Sequence, residues 1–262
     1  MRFWHVSPRI GEIGFRTYLR RLAGSVWNEQ KHAYAKGINL QEESITECLL
    51  LQMSRDLSNH GFRAKIYTRE REATTGADWV WFFRRRSCSL GYRVQAKKLY
   101  RKFGTGNNLL PGSYDGHNPR KNQAKNLVSR AGPNYPIYIF YNHDEVSNHQ
   151  VFKTSSRGFL PPSFWGCSFA PAQFVEKTKS CSLAALRPGM RPWHELFLLS
   201  KRCGVRNSAT ADDNMRYYRA NPEWMELSEN PVEMQSYLSE NNLNGIVHFD
   251  ATDVSEDIFV PR

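Results

Sequence analysis

Two apolar-rich segments separated by a short basic link constrain this chain more than any other feature. Residues 77–83 (ADWVWFF) and 91–99 (GYRVQAKKL) flank RRRSCSL, the layout of two strands joined by a hairpin loop. Side chains on a strand alternate faces, so Tyr92, Val94 and Ala96 share one side and Arg93, Gln95 and Lys97 the other. Asp78 stands at the mouth of the first strand, two residues after Gly76. An acid there, facing an amide and an amine on the neighbouring strand, makes a divalent-cation site beside a lysine. The plainer alternative leaves Gln95 and Lys97 on a solvated face and Asp78 in a turn.

The flanking segments give these strands their setting. Residues 1–40 read as a basic helical segment centred on 12–24. Residues 40–59 read as a helix, with Ile45, Cys48, Leu49 and Met53 on one stripe and Leu50 and Leu51 on a second flank. Glu47 precedes Leu50 and Leu51 by three and four residues and so projects on that flank. A carboxylate there needs a partner or a cation; a plain surface position is the alternative. Residues 62–68 form a first strand, joined to Asp78 by a charged connection carrying Glu70 and Glu72. Glu72 either reaches the metal region or pairs with Arg69 and Arg71.

Residues 103–117 are rich in Gly and Asn and read as a loop. A helix follows over 118–131, with Asn118 as N-cap, Pro119 at the first helical position, and Gln123, Leu127 and Arg130 on one face. The uncharged, aromatic segment 135–142 reads as a central strand beside the Gln95 strand. Beyond residue 143 the pattern thins to a helix at 229–242 and a strand at 243–252.

The GAD…QAK spacing resembles the signature of the PD-(D/E)XK nuclease superfamily, in the variant where Gln replaces the second acid; the likeness covers roughly residues 43–142. It implies an α/β fold with a restriction-endonuclease-like α-β-β-β-α-β core, a central mixed sheet flanked by helices. An N-terminal segment (1–40) precedes this core (41–142), and a C-terminal extension (143–262) packs on it or lengthens it. It also implies a catalytic set of Asp78, Gln95 and Lys97, joined by Glu47 from the first core helix and by Gln123. Asp78, Gln95 and Glu47, with Glu72 in reserve, would hold Mg²⁺, or Mn²⁺ in its place. Endonuclease activity and a role in bacterial anti-phage defence follow from the same resemblance.

Charge points to the partner. The formal net charge is +11, and Arg84, Arg85, Arg86, Arg93, Lys97, Lys98, Arg101 and Lys102 lie in one stretch without an acidic residue. Such a block suits a polyphosphate, with DNA favoured over RNA; an acidic protein is the competing partner. No GxGxxG or GxxxxGK loop is present, and the eight histidines form no metal motif. Five scattered cysteines without a CxxC fit a reducing cytoplasm. No apolar run reaches membrane-spanning length, so no membrane partner is expected. The competing functions are a nuclease fold that binds without cleaving and an adaptor for an acidic protein. Contact with a second copy or a partner protein through the C-terminal region stays open.

Overall fold

The computed structural model describes residues 10–58, 60–68, 78–85, 88–103, 109–114, 122–132, 134–143, 162–196 and 230–259. Helix α1 (Ile10–Ala35) is interrupted at Gly14, whose φ of 71° lies outside the helical range. Beyond it, Phe15, Tyr18, Leu19, Leu22, Ala23 and Val26 recur at helical spacing and are fully buried. The helix outruns the expected 12–24 because this stripe continues through Trp27 to Ala33. It stops at Gly37, in the left-handed region at φ 70°. There Ile38 N–H bonds the Ala33 carbonyl at 2.8 Å and Gly37 N–H bonds that of Tyr34 at 3.0 Å, a Schellman closure.

Helix α2 (Glu42–Ser58) opens with Glu42 and Glu43, acids that complement the positive end of the helix dipole. Its buried face carries Ile45, Thr46, Leu49, Leu50, Met53 and Leu57. The opposite stripe, Glu47, Leu51, Arg55 and Ser58, is exposed.

The strands are β1 (Arg63–Thr68), β2 (Asp78–Arg85), β3 (Cys88–Lys98), β4 (Tyr100–Phe103) and β5 (Leu109–Ser113). Then come α3 (Gln123–Ser129), β6 (Tyr135–Tyr141), β7 (Cys167–Pro171), α4 (Ala172–Thr178) and α5 (Leu183–Leu186). Strand β8 (Arg191–Pro192), helix α6 (Pro231–Glu240) and strand β9 (Leu243–Ala251) follow. Seven strands form one mixed sheet in the order β1-β9-β2-β3-β6-β7-β8, and β4 pairs with β5 in a separate hairpin. The protein is therefore α/β, a central mixed sheet flanked by helices.

Strand β9 does not lie at the margin. It pairs antiparallel with β1 and parallel with β2, between the two. The stretch read as a loop at 103–117 contributes β5, and α3 begins at Gln123; Asn118 and Pro119 lie outside the described residues.

Alternation gives the sheet two faces. Trp79, Trp81, Tyr92, Val94, Ile137 and Ile139 pack with α1 and α2 in the larger core. On the other face Tyr138 and Phe140 pack with Ala124, Leu127 and Val175, while Val80 and Phe82 pack with Met234 and Leu238 of α6. Among the described residues no helix is long and apolar enough to cross a membrane.

Candidate active site

The sheet positions the candidate residues at one end of its central strands. In the β2–β3 ladder Asp78 stands directly opposite Gln95, and Gln95 in turn stands beside Tyr138 of β6. Directly opposed residues share a face, so the register puts positions 78, 95 and 97 on the face that carries Tyr138 and Phe140. The Asp78 side chain itself lies outside the described residues. Past Gln95, β3 continues with β6 through Lys97 and Lys98. The end of β3 thus carries two adjacent lysines.

Both lysines are buried, with 7 % exposure each. Lys97 Nζ lies 3.7 Å from Glu42 Oε1 at the start of α2. Burial raises the Glu42 carboxyl above its ordinary range, and the charge of Lys97 opposes that rise. Lys98 bonds the Asn39 side-chain oxygen, donates to the Leu40 carbonyl at 2.6 Å, and lies 4.6 Å above the Tyr100 ring centroid. Burial lowers its pKa, with Glu42 pulling the other way.

The carboxylate that reaches this end is Glu42, not Glu47. Glu47 lies on the exposed stripe of α2 with Leu51, which is 52 % exposed, so the flank it belongs to faces solvent. Glu42 was missed because it sits in the polar run from Gln41 to Ser44, ahead of the apolar stripe. Its legible signal is its place in the first turn of a helix, where an acid is favoured for the helix's own sake.

Gln123 opens α3, which packs over the face bearing position 95 through Ala124 and Leu127. Its Oε1 is buried and accepts no hydrogen bond among the described residues. Glu72 lies outside the described residues. Among those described, no three His, Cys, Asp or Glu side chains form a metal-binding group.

The described members of the basic block do not form one patch. Arg93 is 4 % exposed; its guanidinium donates to the Arg130 carbonyl at 2.9 Å and the Asn241 carbonyl at 2.8 Å. It clamps the ends of α3 and α6 to the sheet instead of facing a ligand. Arg84 pairs with Ser89 in the ladder, eight positions from Lys97, about 26 Å at roughly 3.3 Å per residue. It neighbours Asp250 of β9, whose carboxyl is held below its usual range by Thr252, Arg63 and Arg84 against the pull of burial. Arg85 closes β2 at that same distant end, and Arg86 lies outside the described residues. Arg101 and Lys102 follow the lysine tip within β4, with side chains outside those described.

The sequence also gave no hint of a cleft beside Lys98, walled by the end of α1, the turn into α2 and the β3–β4 junction. No curated protein and no solved structure matches the chain. Residues 15–255 match a family of unknown function, DUF6615, and the chain belongs to that family.

Proposed function

We propose that this protein is a metal-dependent nuclease with a restriction-endonuclease-like core, hydrolysing phosphodiester bonds of nucleic acid, DNA in preference to RNA. One observation carries the reading. Asp78 opposes Gln95 in register, Lys97 follows two positions on, and the Glu42 carboxylate stands 3.7 Å from the Lys97 amine.

The donor set fits a hard divalent cation, since every candidate atom is oxygen: carboxylates at 78 and 42 and the amide carbonyl of Gln95. Such an ion, Mg²⁺ or Mn²⁺, would supply charge neutralisation at the phosphate and a water of lowered pKa. The remaining work falls to this chain's own side chains. Lys97 donates to a non-bridging phosphate oxygen, where charge grows as the attacking oxygen adds and the leaving oxygen departs. Glu42 holds Lys97 in place, so the amine needs no reorganisation during the reaction. Gln95, neutral where the related signature carries an acid, leaves the site one negative charge poorer and more dependent on Asp78 and Glu42.

That same amide favours a second reading, a nuclease fold that binds nucleic acid without cleaving it. Incubation with plasmid, linear and single-stranded DNA and with RNA, in Mg²⁺, Mn²⁺ or EDTA, separates the two. Cleavage that needs the cation and is lost in Lys97→Ala supports the nuclease. Binding without cleavage in any cation supports the alternative.

A further inference from the structure

The cleft beside Lys98 has a volume of about 220 Å³. That is below the roughly 300–1,000 Å³ of sites for drug-sized molecules and suits one planar heterocycle. Its lining includes Gln30, Tyr34, Ile38, Lys98, Tyr100 and His143. The Tyr34 and His143 rings lie tilted at 39° with centroids 5.6 Å apart, and Tyr100 carries Lys98 over its face. Ile38, 58 % exposed, gives the cleft an apolar rim.

Gln30 adds a polar demand to this aromatic wall. It is 3 % exposed and donates through Nε2 to the Asn142 carbonyl at 3.3 Å. That bond fixes which end of the amide is which and leaves Oε1, which is buried and accepts no hydrogen bond among the described residues. An unmatched buried acceptor is costly, and an N–H from a ligand in the cleft would match it.

Lys97 and Lys98 are adjacent at the end of β3, with Cα atoms about 3.8 Å apart, and both amines reach the turn into α2, Lys97 at Glu42 and Lys98 at Asn39 and the Leu40 carbonyl. A strand crossing the tip can therefore set its phosphate at Lys97 and its base in the cleft. We infer that this cleft takes the base of an unpaired nucleotide next to the phosphate bound at Lys97, which makes single-stranded or locally unpaired nucleic acid the substrate class. The inference rests on the nuclease reading for the phosphate position. A paired base is covered on both faces and along its hydrogen-bonding edge, so a duplex would first have to release it, at a cost of a few kcal/mol.

Binding in EDTA tests this apart from cleavage. The probes are an oligodeoxyadenylate of about twelve nucleotides, within single-strand site sizes, its duplex, an abasic strand of equal charge, and adenosine monophosphate. The wild-type protein is expected to bind the single strand roughly 5- to 100-fold tighter than the abasic strand, the range for stacking one base. Tyr34→Leu, and independently Tyr100→Leu, should remove that difference. Lys97→Ala should weaken both strands alike. Equal binding of intact and abasic strands overturns the base cleft while a Lys97 effect on both keeps the phosphate reading. Loss on both strands in Tyr34→Leu and Tyr100→Leu also overturns it, as does binding of the mononucleotide without the strand. If no nucleic acid binds, both readings fall.

Discussion

The Glu42 carboxylate lies 3.7 Å from the Lys97 amine, and the two side chains retain only 16 % and 8 % exposure. An opposite charge this close offsets part of what each group loses in leaving water, and neither is well placed without the other. The pair joins the first turn of α2 to the end of β3. Loss of Glu42 therefore acts on Lys97 before it acts on any substrate.

Glu42→Gln is expected to lower single-turnover cleavage by about 100-fold, the scale of a small displacement of a catalytic group. Glu47→Gln should leave the rate unchanged, because its side chain is exposed on the far stripe of α2. Equal rates for the wild type and Glu42→Gln would remove Glu42 from the site.

Chemistry and binding separate along β3. Lys97→Ala is expected to reduce cleavage by about 10²–10³-fold, as for loss of one donor to developing charge. Its binding should weaken by one phosphate contact, near 0.9 in the slope of log K against log salt. Arg84→Ala, at the other end of the ladder and beside Asp250, should change neither the rate nor the slope. A salt titration of both variants decides it; a slope altered by Arg84→Ala would extend the nucleic-acid path along the whole strand.

Arg93→Ala should act on stability and not on ligand contact. The substitution removes two charge-assisted bonds to the Arg130 and Asn241 carbonyls. The expected loss is about 2–4 kcal/mol, at 1.5–3 for each such bond and reduced by water reaching helix ends. Urea unfolding measures it, and the fraction still folded should bind nucleic acid as the wild type does.

Acid should destabilise the fold through two buried imidazoles. Burial, reinforced by nearby cations, lowers His194 to about 3 and His248 to about 4. Both are depressed below the unfolded value of 6.5, so below pH 6.5 the unfolded chain binds more protons. Stability is full above that pH and falls with it towards the folded values, by at most about 1.4 kcal/mol per pH unit per group. Glu42 and Asp56, raised by burial, work in the opposite sense nearer the carboxylate range. Urea midpoints at pH 7.5, 6.5 and 5.5 should decline below 6.5, and His194→Gln should flatten the decline.

Strand alternation made much of this legible. It placed Gln95 and Lys97 on one face of β3, and the uncharged run of β6 marked a strand buried on both sides. Helical spacing was less decisive at α2, because Leu50 and Leu51 read alike in sequence while only Leu50 meets the core; Glu47 was read inward with them. The cation block is spread out for a geometric reason. Neighbours in sequence stay neighbours on a helix, but an extended strand carries them apart, leaving Arg84 and Lys97 at opposite ends. Nor does any local pattern tell β9 to enter between β1 and β2, since that pairing joins distant segments. The Lys98 cleft was invisible for the same reason: its walls come from α1, the α1–α2 turn and the β3–β4 junction.

The place of β9 sets when the site can exist. Without it β1 and β2 have no described connection in the sheet, and the β2 edge that pairs with it stays open from Asp78 to Arg85. Sheet closure must wait for a strand encoded far downstream, a long-range pairing of the kind that slows folding. A nascent or prematurely ended chain lacking β9 thus presents a bare, apolar β2 edge, a surface prone to wrong pairings. On the nuclease reading proposed above, cleavage would wait until synthesis has passed the strand that completes the sheet.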